Sequence, residues 1–103
     1  MRDKIELLVV EELMRTEKKS GDFNSHHEAY AVTLEELEEM LDEIKHANKT
    51  MDIIWQQVKS NSVDRFSLAV MQCDLIRALE EGVQVAAMLA KWIEQMDKKT
   101  APK

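Results

Sequence analysis

EAYAVTLEELEEMLDEIK, residues 28–45, sets an apolar seam and a ladder of carboxylates on one predicted helix. Tyr30, Leu34, Leu37, Leu41 and Ile44 recur at steps of four and three, the spacing that lines one helical face, so this seam is expected to face the core. A second stripe, about 100° of rotation away, runs Ala29, Val32, Glu36, Met40, Glu43 and Ala47, with Glu39 beside it. Two carboxylates thus lie among small or apolar residues, which a plainly solvated face does not require. Carboxylates three apart on a helix have Cβ atoms about 5–6 Å apart. Glu36 and Glu39 can therefore share one hard cation, and Mg²⁺ takes oxygen ligands of this kind.

On the N-terminal side of this stretch, Ser25-His26-His27-Glu28 reads as a capping box, so the helix is expected to start near His26. Ser20 to Asn24 breaks the pattern before it, and residues 3–18 form a first helix with Ile5, Leu8, Val9 and Leu13 on one side. On the C-terminal side the helix is expected to end near Ala47. Asn48, Lys49 and Thr50 there weaken it and could cap a short third helix, Met51 to Lys59. After the polar break Ser60-Asn61-Ser62, Asp64 to Met96 is long enough for one helix of roughly 30 residues or two stacked ones. Residues 82–93 are apolar nearly all round, and three or four helices of this size enclose such a surface poorly. A second copy of the chain is therefore expected to complete the core, with Ala87 at the interface. Residues 1–96 form one domain, and residues 97–103 are expected to be a disordered tail.

The chain has 103 residues, 45% of them hydrophobic, with two glycines and one proline. That composition supplies few tight turns and favours an all-α bundle. A net charge of −6 with scattered Lys and Arg argues against a nucleic-acid surface and is compatible with cation binding. The single cysteine, Cys73, has no disulfide partner in the chain and is expected in the core of a cytoplasmic protein. No cleavable signal and no membrane span is visible. His26 and His27 are adjacent in the first helical turn and point about 100° apart, which suits surface or pocket-rim positions better than joint metal ligation.

FNSHHEAYAVTLEELEEMLDEIK, residues 23–45, followed by EEGVQVAAMLAKWI, residues 80–93, resembles the MazG-type all-α nucleoside triphosphate pyrophosphohydrolases, in particular their small phage and bacterial members. The resemblance covers roughly residues 23–95 and rests on two short motifs, their order and their spacing. The family's E-x-x-E falls on Glu36 and Glu39. Its E-x-x-D falls on Glu81 and Gln84, so a neutral amide stands where the family has a carboxylate. The resemblance implies a helical bundle completed by homodimerisation, Mg²⁺ or Mn²⁺ held by Glu36, Glu39, Glu81 and Gln84, and cleavage of an NTP or dNTP to the monophosphate and pyrophosphate. Glu36, Glu39 and Glu81 would be its catalytic residues. Lys45, Lys49, Arg77 and Lys91 are candidates for phosphate contact. Gln84 also raises the alternative of a catalytically weak or inactive dimer that binds nucleotide or serves structurally. Without the second motif, Glu35, Glu36, Glu38 and Glu39 would read as an ordinary solvated acidic face.

Overall fold

A computed structural model describes the backbone of residues 1–100 and the side chains of residues 1–98. Among the described residues it is all-helical: α1 (Arg2–Ser20), α2 (His26–Lys59) and α3 (Arg65–Thr100). None of these helices is long and apolar enough to cross a membrane. α2 and α3 form a long antiparallel hairpin, and α1 lies on α3 while standing off α2.

Local chemistry sets the helix ends. Gly21 closes α1 at φ 67°, where a side chain would be strained, and donates its N–H to Glu17 O. Ser25 Oγ accepts from the Glu28 N–H at 3.1 Å and caps α2. The second half of the expected capping box is displaced by one residue. Glu28 reaches past Ser25 to accept from Asn24, through both its backbone N–H (3.2 Å) and its side-chain amide (3.0 Å). At the hairpin turn Asn61 takes a left-handed φ of 54°, which asparagine tolerates. Asp64 Oδ1 then accepts from the Ser67 N–H at 2.8 Å to open α3. Gln57 fastens the turn by accepting from the Asp64 N–H at 3.2 Å and donating to Ser67 Oγ at 3.0 Å.

The short helix expected over residues 51–59 does not exist separately, because α2 passes straight through Asn48, Lys49 and Thr50. Asn48 and Thr50 are poor helix formers but not breakers, each costing about half a kcal/mol against alanine, and Lys49 between them is a good helix former. Packing outweighs that cost. Ala47, Thr50 and Ile54 are all buried along α2, and the Thr50 hydroxyl bonds back to His46 O. α3 is one helix and reaches Thr100. The first four residues of the expected tail are thus helical, and residues 101–103 lie outside the described residues.

The buried side of α2 is also different from the expectation. Ala29, Ala47 and Ile54 are buried, while Tyr30, Leu37, Leu41 and Ile44 of the Leu-rich seam are 60%, 38%, 43% and 40% exposed. Small residues let α3 approach closely, so the stripe carrying Glu36 and Met40 becomes the inner one and the seam is left open. Gly82 on α3 shows how close that approach is: a Cβ placed there would lie 3.3 Å from Met40 Cε. Cys73, expected in the core, is exposed. Ala87, expected at an interface between copies, is fully buried within the single chain. The one buried carboxylate of the hairpin, Asp74, meets His46 Nδ1 at 2.5 Å.

Candidate metal centre and adjoining cleft

Glu36 and Glu39 stand one turn apart on α2, and Glu81 and Gln84 stand one turn apart on α3. The antiparallel hairpin brings the two pairs opposite one another. One carboxylate oxygen each from Glu36, Glu39 and Glu81 lies within 4.8 Å of the other two. The Gln84 amide, with its nitrogen turned to the acids, donates to Glu36 Oε2 at 2.7 Å and to Glu81 Oε2 at 3.1 Å. All four residues picked out by the sequence motifs thus meet at one place.

The electrostatics follow from crowding. Burial desolvates Glu81, and the neighbouring Glu39 and Glu36 disfavour its charge further, so its carboxyl is pushed up to about 7. Glu36 is also raised, first by desolvation and then by the charges of Glu39 and Glu35, against a lowering hydrogen bond with Glu81. The Gln84 N–H groups supply part of the positive character that these carboxylates need.

Whether a divalent cation fits can be judged from the donor set. The cluster offers only oxygen atoms from carboxylates, plus an amide that presents its own oxygen when turned over. That chemistry suits Mg²⁺ and Mn²⁺ and does not suit metals that favour nitrogen or sulfur. The residues present therefore fit a hard divalent cation. Turning Gln84 over would sacrifice its two donated bonds, which a cation replaces.

Glu36 and Gln84 also form one end of an open cleft of about 300 Å³ between α1 and the hairpin. α1 contributes Glu12, Arg15 and Lys19, the α1–α2 loop contributes Asp22 and Phe23, and α3 contributes Lys91. Phe23 is held against α3 by a double bond pair with Gln95: its N–H donates to Gln95 Oε1 (2.9 Å) and its carbonyl accepts from Gln95 Nε2 (3.1 Å). Lys91 is only 3% exposed, and its Nζ lies 4.3 Å from the Phe23 ring centroid. Of the lysines and arginine expected near phosphate, Lys91 lines this cleft and Lys45, Lys49 and Arg77 do not. Arg15 and Lys19 do line it and went unrecognised in the sequence, where exposed cations on a separate helix carry no sign of what they face. His26 sits near the rim, accepting from the Trp92 indole N–H at 2.9 Å, and takes no place in the acidic cluster.

No family model, curated protein or solved structure matches the chain.

Proposed function

We propose that the chain is the subunit of a cytoplasmic, homo-oligomeric, magnesium-dependent nucleoside triphosphate pyrophosphohydrolase that cleaves (d)NTPs to (d)NMPs and pyrophosphate. One observation carries this assignment: three carboxylates from two helices, Glu36, Glu39 and Glu81, converge within 4.8 Å at the end of a cleft whose lining includes the cations Arg15, Lys19 and Lys91. The similarity of the two motifs to the MazG-type enzymes supplies the reaction. Glu36, Glu39 and Glu81 would hold Mg²⁺ or Mn²⁺, with Gln84 as a neutral fourth ligand. Bound there, the metal supplies neutralisation of phosphate oxygens and a more acidic water.

The chain's own residues provide the setting for that chemistry. The hairpin fixes the two acidic pairs on rigid helices, and the small residues beside them bring the helices near enough for the pairs to meet. Partial desolvation strengthens every charge interaction at the cluster. The cluster holds no hydroxyl, thiol or amine nucleophile, and carboxylates committed to a cation would leave attack on the α–β linkage to water.

A second assignment is favoured by the Gln84 hydrogen bonds. They satisfy Glu36 and Glu81 without any cation, as a nucleotide-binding or structural relative that has lost turnover would need. Incubation with a panel of NTPs and dNTPs in Mg²⁺, scoring pyrophosphate and orthophosphate separately, distinguishes the two. Pyrophosphate together with the monophosphate is the expected outcome. Orthophosphate as the sole initial product would refute the pyrophosphohydrolase. Binding without any product would select the second assignment.

A further inference from the structure

Lys91 is unusual for its residue type. Its stem is buried, the residue being only 3% exposed, and since no buried side-chain nitrogen among the described residues lacks a partner, its ammonium keeps access to the cleft. Among the described residues Lys91 has no ion pair or hydrogen bond, and its one polar contact is the face of the Phe23 ring. It lines the cleft that leads to Glu36 and Gln84. The adjacent Trp92 bonds His26 at the start of α2, and Gln95, one turn on, bonds Phe23 of the α1–α2 loop, so this part of α3 is well fixed. The ammonium is thereby held in place and kept free to accept an anion from the cleft.

The charges around it define what that anion must be. Of the four carboxylates lining the cleft, Glu12 is bonded to Arg15, Glu28 to Asn24 and Glu36 to the Gln84 amide, so Glu36 reaches the cleft as part of the acidic cluster and Asp22 stands beside it on the loop. Against them stand Lys19 and Lys91, with Arg15 presenting the part of its guanidinium that Glu12 does not use. A bare polyanion would gain from the cations and be repelled by Glu36 in nearly equal measure. A polyphosphate carrying a divalent cation presents both signs, negative oxygens toward the lysines and positive charge toward the acids.

We infer that the cleft between α1 and the hairpin is the site of a divalent-cation-bound polyphosphate chain, with the Lys91 ammonium as its principal phosphate contact and Arg15 and Lys19 as the opposite wall. The inference rests on the metal-dependent reading of the carboxylate cluster and adds which residues hold the phosphates. It gives α1, which carries neither acidic motif, a function as the second jaw of the site. The Phe23 ring lies against the Lys91 ammonium itself and fixes it at the cleft wall, where a phosphate oxygen can accept from it.

The test is calorimetric titration of inorganic tripolyphosphate, in the presence of Mg²⁺, into the full chain and three variants. Tripolyphosphate has no base or sugar, so contacts elsewhere contribute nothing. Lys91→Met keeps the aliphatic stem and should weaken binding roughly tenfold to a hundredfold, the range for losing a charge-assisted hydrogen bond. The double variant Arg15→Gln, Lys19→Gln changes exposed side chains only and should weaken binding several-fold. Lys45→Met, outside the cleft, should bind as wild type does. Unchanged affinity in a folded Lys91→Met variant, or wild type that binds no magnesium tripolyphosphate, overturns the inference. Should Lys91→Met fail to fold, unchanged affinity in the double variant overturns it equally. Pyrophosphate release from NTPs is scored alongside. Release that is indifferent to Lys91→Met removes this site and leaves the enzyme. Tripolyphosphate binding that depends on Lys91 without any NTP cleavage removes the enzyme and leaves this site.

Discussion

In the metal-free protein Glu81 is desolvated by its burial and crowded by Glu39 and Glu36, and titrates near 7 instead of 4.5. A carboxyl whose pKa rises on folding favours the folded state while it is protonated. The stabilisation is therefore complete below about pH 4.5 and is lost as the pH climbs through about 7. Glu36 acts in the same direction. With a discount for the cluster's contact with solvent, the metal-free chain should be less stable at pH 8 than at pH 5 by on the order of 1–2 kcal/mol from this source. Glu81→Gln should flatten that slope and raise the melting temperature at pH 8 by a few degrees. Thermal melts in chelator from pH 5 to 8 check this, and parallel slopes in wild type and variant would dismiss it. Gln84→Asp pulls the other way. It removes two donated hydrogen bonds and adds a fourth carboxylate, so the metal-free chain should lose about 1 kcal/mol while Mg²⁺ binds roughly tenfold tighter through the added charge. Titration with Mg²⁺ would show no gain if the cluster is only a hydrogen-bonded acidic patch. The registers of Glu36, Glu39, Glu81 and Gln84 were legible because a motif fixes spacing along its own helix. Arg15 and Lys19 were not, since nothing in a helical repeat says which side of a neighbouring helix it will face.

At the scale of the helices, hydrophobic periodicity identified where helices run, and it misjudged how they pack. The Leu-rich seam of α2 is the more hydrophobic stripe, but the stripe with Ala29, Ala47 and Gly82's neighbour Met40 lets two backbones come closer. Close packing of small residues recovers more contact over a 34-residue helix than large side chains that hold the helices apart. The same effect carried α2 through Asn48–Thr50, where propensity alone suggested an end. Gly82 makes the point testable. A helix-interior glycine costs about 1 kcal/mol against alanine, and the new Cβ would press only on the tip of Met40, at 3.3 Å from Cε and 3.5 Å from Sδ. Methionine is flexible enough to give way. Gly82→Ala should therefore stabilise the chain by about 0.5 kcal/mol, read as a higher urea midpoint with unchanged slope. Destabilisation instead would mean that Met40 is pinned and that the glycine is needed for the approach of α3 to α2.

The whole molecule is extended for a chain of its length. Its radius of gyration is 18.2 Å and it extends 67 × 28 × 21 Å, whereas a compact chain of this length has a radius of about 13 Å. It exposes 8072 Å², some 2000 Å² beyond what a compact monomer of 11.9 kDa presents. Much of the surface is apolar: Tyr30, Leu37, Leu41 and Ile44 on α2, Leu75, Ile76 and Leu79 on α3, and Ile5 and Leu8 on α1 are all between 38% and 65% exposed. A typical stable interface removes about 800 Å² from each partner, so a second copy packed on the α2 seam would cover somewhat under half of the excess without any change in the hairpin. Light scattering at micromolar concentration should accordingly give at least twice the monomer mass. Ala87→Glu cannot report on that assembly, because Ala87 is wholly enclosed by its own chain and a charge there would disrupt the hairpin itself. Leu37→Glu with Leu41→Glu is the informative pair. Both side chains are about two-fifths exposed in the single chain, so the helices should survive the change, while a partner packed on the seam would meet two unpaired carboxylates and be driven off. The expected result is a monomer that keeps its helical circular dichroism but melts at a lower temperature. A wild-type chain already monomeric at micromolar concentration, or a double variant whose mass is unchanged, would mean that this face is not where copies of the chain meet.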